Sequence, residues 1–298
     1  MSFVRQFTLI NAVGEEYDVT TKEVLLTEPS GLGMKRENNY RRVGNRFFLL
    51  SKRRSQTQFQ GTLVFTPHDA YIKFNEFMAF CTKEPLKLRY KPIDNYDYYI
   101  ARGTFPVWDY VFYQDVMIES IEKGELTKYG SLEPKISLSA LTPWYRDLVI
   151  QSITADTSSG VIWEESSTWP WHWESSSGRN ITIESDAHMP SPCILKIPGP
   201  AVNPRWTQYV NGKKYATGYC EVVVPYGHFL VIDNISESPS ITLVNGNDEI
   251  IRDVYQDGDF TQKRFIEIQN GTNSIVATFD DAETGVMIVE AKLFYESV

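Results

Sequence analysis

The stretch Gln58-Phe59-Gln60-Gly61-Thr62-Leu63-Val64-Phe65-Thr66-Pro67-His68-Asp69-Ala70-Tyr71-Ile72-Lys73-Phe74 decides how the chain is read. In its first eight residues Phe59, Gly61, Leu63 and Phe65 alternate with Gln58, Gln60, Thr62 and Val64. That is the two-residue period of a half-buried strand. Thr66-Pro67-His68-Asp69 then predicts a helix start, with Thr66 as N-cap, proline at the first helical position and His68 inside the first turn, followed by an acid. Tyr71, Phe74, Met78 and Cys81 recur at helical spacing, and Phe77 and Phe80 widen the stripe. The pattern predicts an amphipathic helix of about four turns ending near Lys83, before Pro85. Such an aromatic stripe could line a ligand box, but packing on a sheet demands the same residues and is the reading preferred.

Outward from this unit the chain reads as strands. Leu86, Leu88 and Tyr90 alternate, and β-rich segments cover 98–105, 110–113, 115–122 and 134–141 before Thr142-Pro143-Trp144-Tyr145 closes the first half. Towards the N-terminus, Phe3, Phe7 and Leu9 alternate with polar partners, a turn centres on Gly14, and Val24-Leu25-Leu26 follows. Pro29-Ser30-Gly31-Leu32-Gly33 is a turn whose glycines permit positive φ. Residues 146–185 form a transition with Ser/Thr/Gly clusters around Trp169-Pro170-Trp171-His172-Trp173. From Cys193 onward short strands alternate with Gly, Pro, Asn and Asp turns, and nothing looks helical. In the last strand Met287, Val289, Ala291, Leu293 and Tyr295 share one face. Regular short strands of this kind argue for an antiparallel sandwich or a jelly roll. The chain is thus expected to be mainly β with one helix, and its 298 residues suit two domains of roughly 150 residues each, divided as 1–146 and 147–298.

Composition narrows the function. Hydrophobic residues make up 42% and charged residues 22%, the balance of a globular chain. No apolar run approaches the roughly 20 residues a membrane helix needs, so no membrane partner is expected. Met1-Ser2-Phe3-Val4-Arg5-Gln6-Phe7 lacks the apolar core of a signal peptide and reads as a first strand, which predicts a chain kept in the cytosol. Cys81, Cys193 and Cys220 are too few and too irregularly spaced for a disulfide framework or a metal site, and read as small buried hydrophobes. The net charge of −9 is unevenly spread: residues 1–150 carry 20 Lys/Arg against 18 Asp/Glu, and residues 151–298 carry 9 against 20. The acidic half cannot bind nucleic acid through its overall field.

Catalytic patterns are missing. His68, His172, His188 and His228 sit in no HExxH, His-x-His or CxxC setting, and neither a nucleophile elbow nor a phosphate loop occurs. Gly31-Leu32-Gly33 opens like a dinucleotide loop but lacks its third glycine and helix. Glu164 and Glu165 could serve a glycosidase only if two acids faced each other roughly 5–9 Å apart. No cofactor, metal or catalytic residue is expected. Two features stand out. Lys35, Arg36, Arg41, Arg42, Arg46, Lys52, Arg53 and Arg54 oppose the single acid Glu37, with Tyr40, Phe47 and Phe48 interleaved. Such a segment suits nucleic-acid contact, or a long loop or hairpin arm that reaches an acidic neighbouring subunit; the second reading is preferred. Trp163, Trp169, Trp171 and Trp173, with Trp206 further on, could stack on sugars or fill a seam between domains.

The order of these pieces resembles the distal tail proteins of siphophages. The first half is similar to their N-terminal belt domain: Gly31-Leu32-Gly33 and a variable charged stretch, Gln60–Phe65 running into Tyr71–Phe77, Leu86-Lys87-Leu88-Arg89-Tyr90, Gly130-Ser131-Leu132 and Leu141–Tyr145. The second half resembles their galectin-like β-sandwich, on Gly199-Pro200-Ala201-Val202-Asn203-Pro204, Val231-Ile232-Asp233 and the closing Phe294–Val298. The Trp run lies outside that pattern. The resemblance implies a β-sandwich-plus-helix belt domain and a non-enzymatic virion protein at the tail tip. It implies a hexameric ring between the tail-tube protein and a tail-associated lysin or fibre hub, with DNA passing through the lumen and receptor-binding proteins or cell-wall glycan meeting the second domain. A carbohydrate-binding module of a phage or cell-surface protein is the alternative.

Overall fold

A computed structural model describes residues 5–92, 111–151, 179–236, 238–280 and 286–298. The chain divides into two compact units, Met1–Arg146 with Tyr295–Val298, and Asp147–Phe294. Both are built of antiparallel strands, and one α-helix occurs among the described residues. The fold is mainly β with one helix, as the alternation predicts.

The first unit contains β1 (Arg5–Ile10), β2 (Glu16–Asp18), β3 (Val24–Ser30), β4 (Lys35–Val43), β5 (Arg46–Ser55), β6 (Gln58–Phe65), α1 (Ala70–Cys81), β7 (Leu86–Pro92), β8 (Phe112–Glu122), β9 (Lys135–Ala140) and the start of β10 (Trp144–Gln151). Its sheet runs β2-β1-β7-β8-β9-β6-β3. Phe59, Leu63 and Phe65 of β6 are buried beside Leu26 of β3 and Ile136 and Leu138 of β9. The period read from the opening stretch is therefore the one that faces the core.

The helix differs from expectation at its start and in its stripe. Thr66 is not its cap: its amide and its hydroxyl both donate to Glu23 O, at 3.0 and 3.3 Å, so Thr66 still belongs to the strand edge. His68 (φ 67) and Asp69 (φ 70) are both left-handed, and the helix begins only at Ala70, after Asp69 and without a side-chain cap. Two such residues reverse the chain in minimal length, so a proline-led first turn has no room to form. Ala70, Phe74, Phe77, Phe80 and Cys81 form the buried face, while Tyr71 and Met78 are exposed. Phe65 meets Phe74 edge-on at 5.7 Å, and Tyr17 of β2 meets Phe77 at 5.1 Å. Where those two strands lie, rather than helical spacing alone, selects the buried stripe.

The second unit contains β11 (Arg179–Ser185), β12 (Ser191–Pro198), β13 (Ala201–Val202), β14 (Arg205–Val210), β15 (Lys213–Tyr219), β16 (Val223–Val224), β17 (Phe229–Asp233), β18 (Ser240–Val244), β19 (Ile250–Asp253), β20 (Glu267–Ile268), β21 (Gly271–Thr278) and β22 (Ile288–Tyr295), of which Tyr295 groups with the first unit. One sheet runs β19-β18-β17-β12-β22 and another β11-β21-β14-β15. Each buries alternate residues: Ile181 and Ile183, Leu230 and Ile232, Ile275 and Ala277, as expected of paired sheets. Met287, Val289, Ala291, Leu293 and Tyr295 are all buried, as their shared face predicts. The region after Cys193 is not wholly strand and turn, because a 3-10 turn covers Tyr255–Asp257. The transition read over 146–185 is also narrower than expected, since β10 extends to Gln151 and β11 begins at Arg179. The predicted segment 98–105 lies outside the described residues.

The three cysteines are buried and free, as read from the sequence. Burial pushes the Cys81 thiol up to about 12 and Cys220 to about 11, and raises Cys193 as well. A thiol held neutral and covered is a poor nucleophile. Titration with a thiol-reactive dye is expected to find no reactive cysteine in the folded protein and three in denaturant. Prompt modification of any of them under native conditions would contradict this packing.

Candidate assembly surface

The basic segment folds as a β-hairpin that stands off the core. β3 and β6 pair as far as Ser30↔Gln60, and β4 and β5, joined between them in the chain, pair from Lys35↔Ser55 to Val43↔Arg46 as a separate two-stranded sheet. Its tip is the two-residue turn Gly44-Asn45, with Gly44 at φ 63. Such turns favour glycine because its backbone matches the twist of the flanking strands. At the root, Gly31 has φ 88, and a Cβ there would lie 2.0 Å from Gln58 O. Only glycine lets the chain leave β3 so close to the returning strand.

The hairpin's register sorts its side chains. Asn39 faces Ser51 and Tyr40 faces Leu49, so Leu50 is an extra residue, a β-bulge. Beyond it, Tyr40, Arg42, Phe47 and Leu49 share one face, and Arg41, Val43, Arg46 and Phe48 the other. Tyr40, Val43, Phe47, Phe48, Leu49 and Leu50 are each between 51% and 68% exposed. A lone two-stranded hairpin is marginal in water, and this one sets six large apolar side chains in solvent. That composition suits a segment covered by a partner.

Its cations are mostly unmatched. Among the described residues, Lys35, Arg41, Arg42, Arg46 and Arg53 form no ion pair. Glu37, the only acid, accepts a hydrogen bond from Ser55 Oγ at 2.9 Å. Arg36 is the exception: its Nη2 donates to both carboxylate oxygens of Glu296, at 2.7 and 2.6 Å. The Arg36 guanidinium, with Lys52 and Arg54 further off, holds the Glu296 carboxyl below its ordinary value of 4.5. A clamp therefore ties the base of the arm to residues near the end of the chain, a link that strand patterning could not reveal because 260 positions separate the partners.

Glu296 provides a test of that clamp. A depressed carboxyl pKa contributes stability above the ordinary value and loses it as the pH falls through the depressed one. The pair is a quarter or more exposed, so solvent screening limits it to no more than about 1 kcal/mol. Hydrogen exchange at the hairpin root is expected to accelerate below pH 4.5, and Glu296→Gln should remove that acid dependence. Equal acid sensitivity in the variant would show that the root is held by something else.

The tryptophans separate. Trp206 is fully buried in β14, and its Nε1 donates to Arg264 O at 2.7 Å. It therefore has no face for a sugar, because β14 alternation turns it inward onto Gly218 of β15. Trp163, Trp169, Trp171 and Trp173 lie outside the described residues, as do Glu164 and Glu165. His68 and His188 are exposed and His228 half-buried, and no group of metal-binding side chains occurs among the described residues. The positive φ read for Gly31 is found at the hairpin root, whereas sequence reasoning missed the roles of Glu296, Val43, Leu49 and Leu50. The Gly44-Asn45 dipeptide between two basic-aromatic runs was the signal that could have placed the last three on a hairpin.

No curated protein matches the chain. A chain of the phage P2 baseplate in its activated conformation with calcium matches it at 17% identity, covering 99% of this chain and 100% of that one, with a TM-score of 0.57. The SPP1 Dit (gp 19.1) protein, described as a paradigm of the hub adsorption apparatus in phages infecting Gram-positive hosts, matches at 9% identity, covering 96% and 98%, with a TM-score of 0.61. At such identities the likeness is one of fold, and it extends over both units. Residues 6–102, which include the hairpin, match the family model of the distal tail protein N-terminal domain. The first unit thus matches the N-terminal domain of phage distal tail proteins, on a fold that nearly the whole chain shares with these two structures.

Proposed function

We propose that this chain is a phage distal tail protein and a non-enzymatic ring hub, a hexamer at the end of a long tail, whose first unit forms the belt and whose hairpin arm reaches a neighbouring subunit. The observation that carries this reading is the arm itself: two strands with no sheet beneath them, six exposed apolar side chains and at least five unmatched cations. Exposure on that scale costs a monomer solubility, and a ring covers it. Closed cyclic symmetry uses two unlike surfaces per subunit. One ring face then meets the tail-tube protein and the other a tail-associated lysin or fibre hub, with DNA passing through the lumen. The second unit is left for receptor-binding proteins or cell-wall glycan.

The test is a mass. Light scattering after size exclusion should give about six times 34.2 kDa at high concentration, falling on dilution, since axial neighbours are absent in solution. Raising the salt should favour dissociation, because unmatched surface cations act through screened attraction. A species of 34.2 kDa at every concentration would count decisively against the ring.

A further inference from the structure

The second unit carries a counterpart to the hairpin. β19 is the outer strand of its sheet, hydrogen-bonded to β18. Their register slips: Leu243 faces Arg252 and Val244 faces Ile250, leaving Ile251 as an extra residue. This bulge turns both isoleucines outward, with Ile250 69% and Ile251 51% exposed, and Phe260 stands 53% exposed further on. Around them the charge is negative. Arg252 is matched by Asp257 at 2.6 Å, whereas Glu249, Asp253 and Asp259 form no ion pair among the described residues. A depression beside the strand is lined in part by Tyr219, Glu221, Arg252 and Asp259.

Each surface has what the other lacks. The hairpin offers Phe47, Phe48, Leu49 and Leu50 flanked by unmatched arginines, and the β19 edge offers Ile250, Ile251 and Phe260 flanked by unmatched carboxylates. Both apolar rows stay exposed in the single chain. We propose that the hairpin of one copy docks on the β19 edge of the second unit of a neighbouring copy. This rests on the ring reading and names the two surfaces that join. The contact is made by side chains: a bulge on each partner disrupts the ladder and blunts the edge against open-ended strand pairing. Apolar residues at the centre and opposite charges at the rim are the anatomy of a specific interface. The surfaces are unlike, so the contact is head-to-tail and can close into a ring.

Cross-linking tests it on the full chain. Leu49→Cys and Ile251→Cys are placed in separate preparations; the three native cysteines are buried and stay silent. On mild oxidation the mixture should yield a covalent dimer about tenfold in excess of either preparation alone, and a chain carrying both changes should yield a covalent ladder up to the ring. Charge reversal gives an independent arm. Glu249→Arg with Asp253→Arg should weaken association about tenfold, the equivalent of roughly 1.4 kcal/mol, and adding Arg41→Glu with Arg42→Glu in the same chain should restore it. Rings of the expected mass that show neither the mixed dimer nor any response to reversal would overturn this docking and leave the hub reading intact. A wild-type chain that never associates would overturn both. DNA binding lost on Arg41→Glu with Arg42→Glu, without the mixed dimer, would reassign the arm to nucleic acid.

Discussion

Trp206→Ala is expected to destabilise the second unit by about 3–5 kcal/mol, the range for removing a fully buried tryptophan. Trp206 sits opposite Gly218 across β14 and β15, and a Cβ on Gly218 would come within 2.2 Å of the indole. The ring therefore occupies the volume that a side chain on β15 would otherwise fill, and Gly218 has no side chain that could collapse into the cavity. Its Nε1 also supplies the 2.7 Å hydrogen bond to Arg264 O, so truncation leaves a buried carbonyl without a donor. Arg264 is itself 6% exposed, with its guanidinium 3.9 Å from the Tyr255 ring centre and 4.1 Å from that of Phe260. Loosening its backbone should therefore spread through 255–265. Urea unfolding followed at the second unit, with hydrogen exchange over that segment, measures both effects. Trp206→Phe should lose less, and Gly218→Ala should cost about 1–3 kcal/mol by overpacking against the indole. A Trp206→Ala midpoint close to wild type would mean that the indole is not the keystone of this core.

Gly31→Ala should be the most damaging single methyl that can be added to the arm, at a cost on the order of 2–4 kcal/mol. The φ of 88 is unfavourable for alanine, and the new Cβ would meet Gln58 O at 2.0 Å, Gln58 C at 2.8 Å and Phe59 Cα at 2.9 Å. All three are backbone atoms of β6, so no side-chain rotation relieves the clash and the hairpin root must open. Gly33 is the internal control, since a Cβ there meets nothing within 4 Å; Gly33→Ala should stay within about 0.5 kcal/mol. On the ring reading, Gly31→Ala should also lower the assembled mass while Gly33→Ala leaves it unchanged. Equal stability of the two variants would show that the root tolerates a wider exit than this geometry requires.

Much of the architecture was legible in local pattern. The alternation of Phe59, Leu63 and Phe65 and the shared face of Met287, Val289, Ala291, Leu293 and Tyr295 each named buried residues correctly, because the side-chain period of a strand is a property of the backbone alone. The existence of one helix after β6, and the burial of Cys81, Cys193 and Cys220, followed from residue type and spacing. The cationic segment stood out for the same reason, as a run of eight basic residues against one acid. Where two local signals competed, the sequence misled. Thr66-Pro67 carries the chemistry of a helix start, but the hydrogen bonds to Glu23 hold Thr66 in the sheet, and the turn falls to His68 and Asp69 instead.

What only the tertiary structure decided depends on partners far apart in the chain. Nothing local to Trp206 says that it is enclosed: that follows from Gly218 on the neighbouring strand and the carbonyl of Arg264. The requirement for Gly31 arises from Gln58 across the hairpin root, and the Arg36 clamp from Glu296 near the end of the sequence. The bulges at Leu50 and Ile251 exist only in the register of two strands, and it is they that turn consecutive apolar residues into solvent. Backbone periodicity and residue chemistry are written locally, whereas burial, close approach and register are properties of pairs, fixed only when the sheets come together.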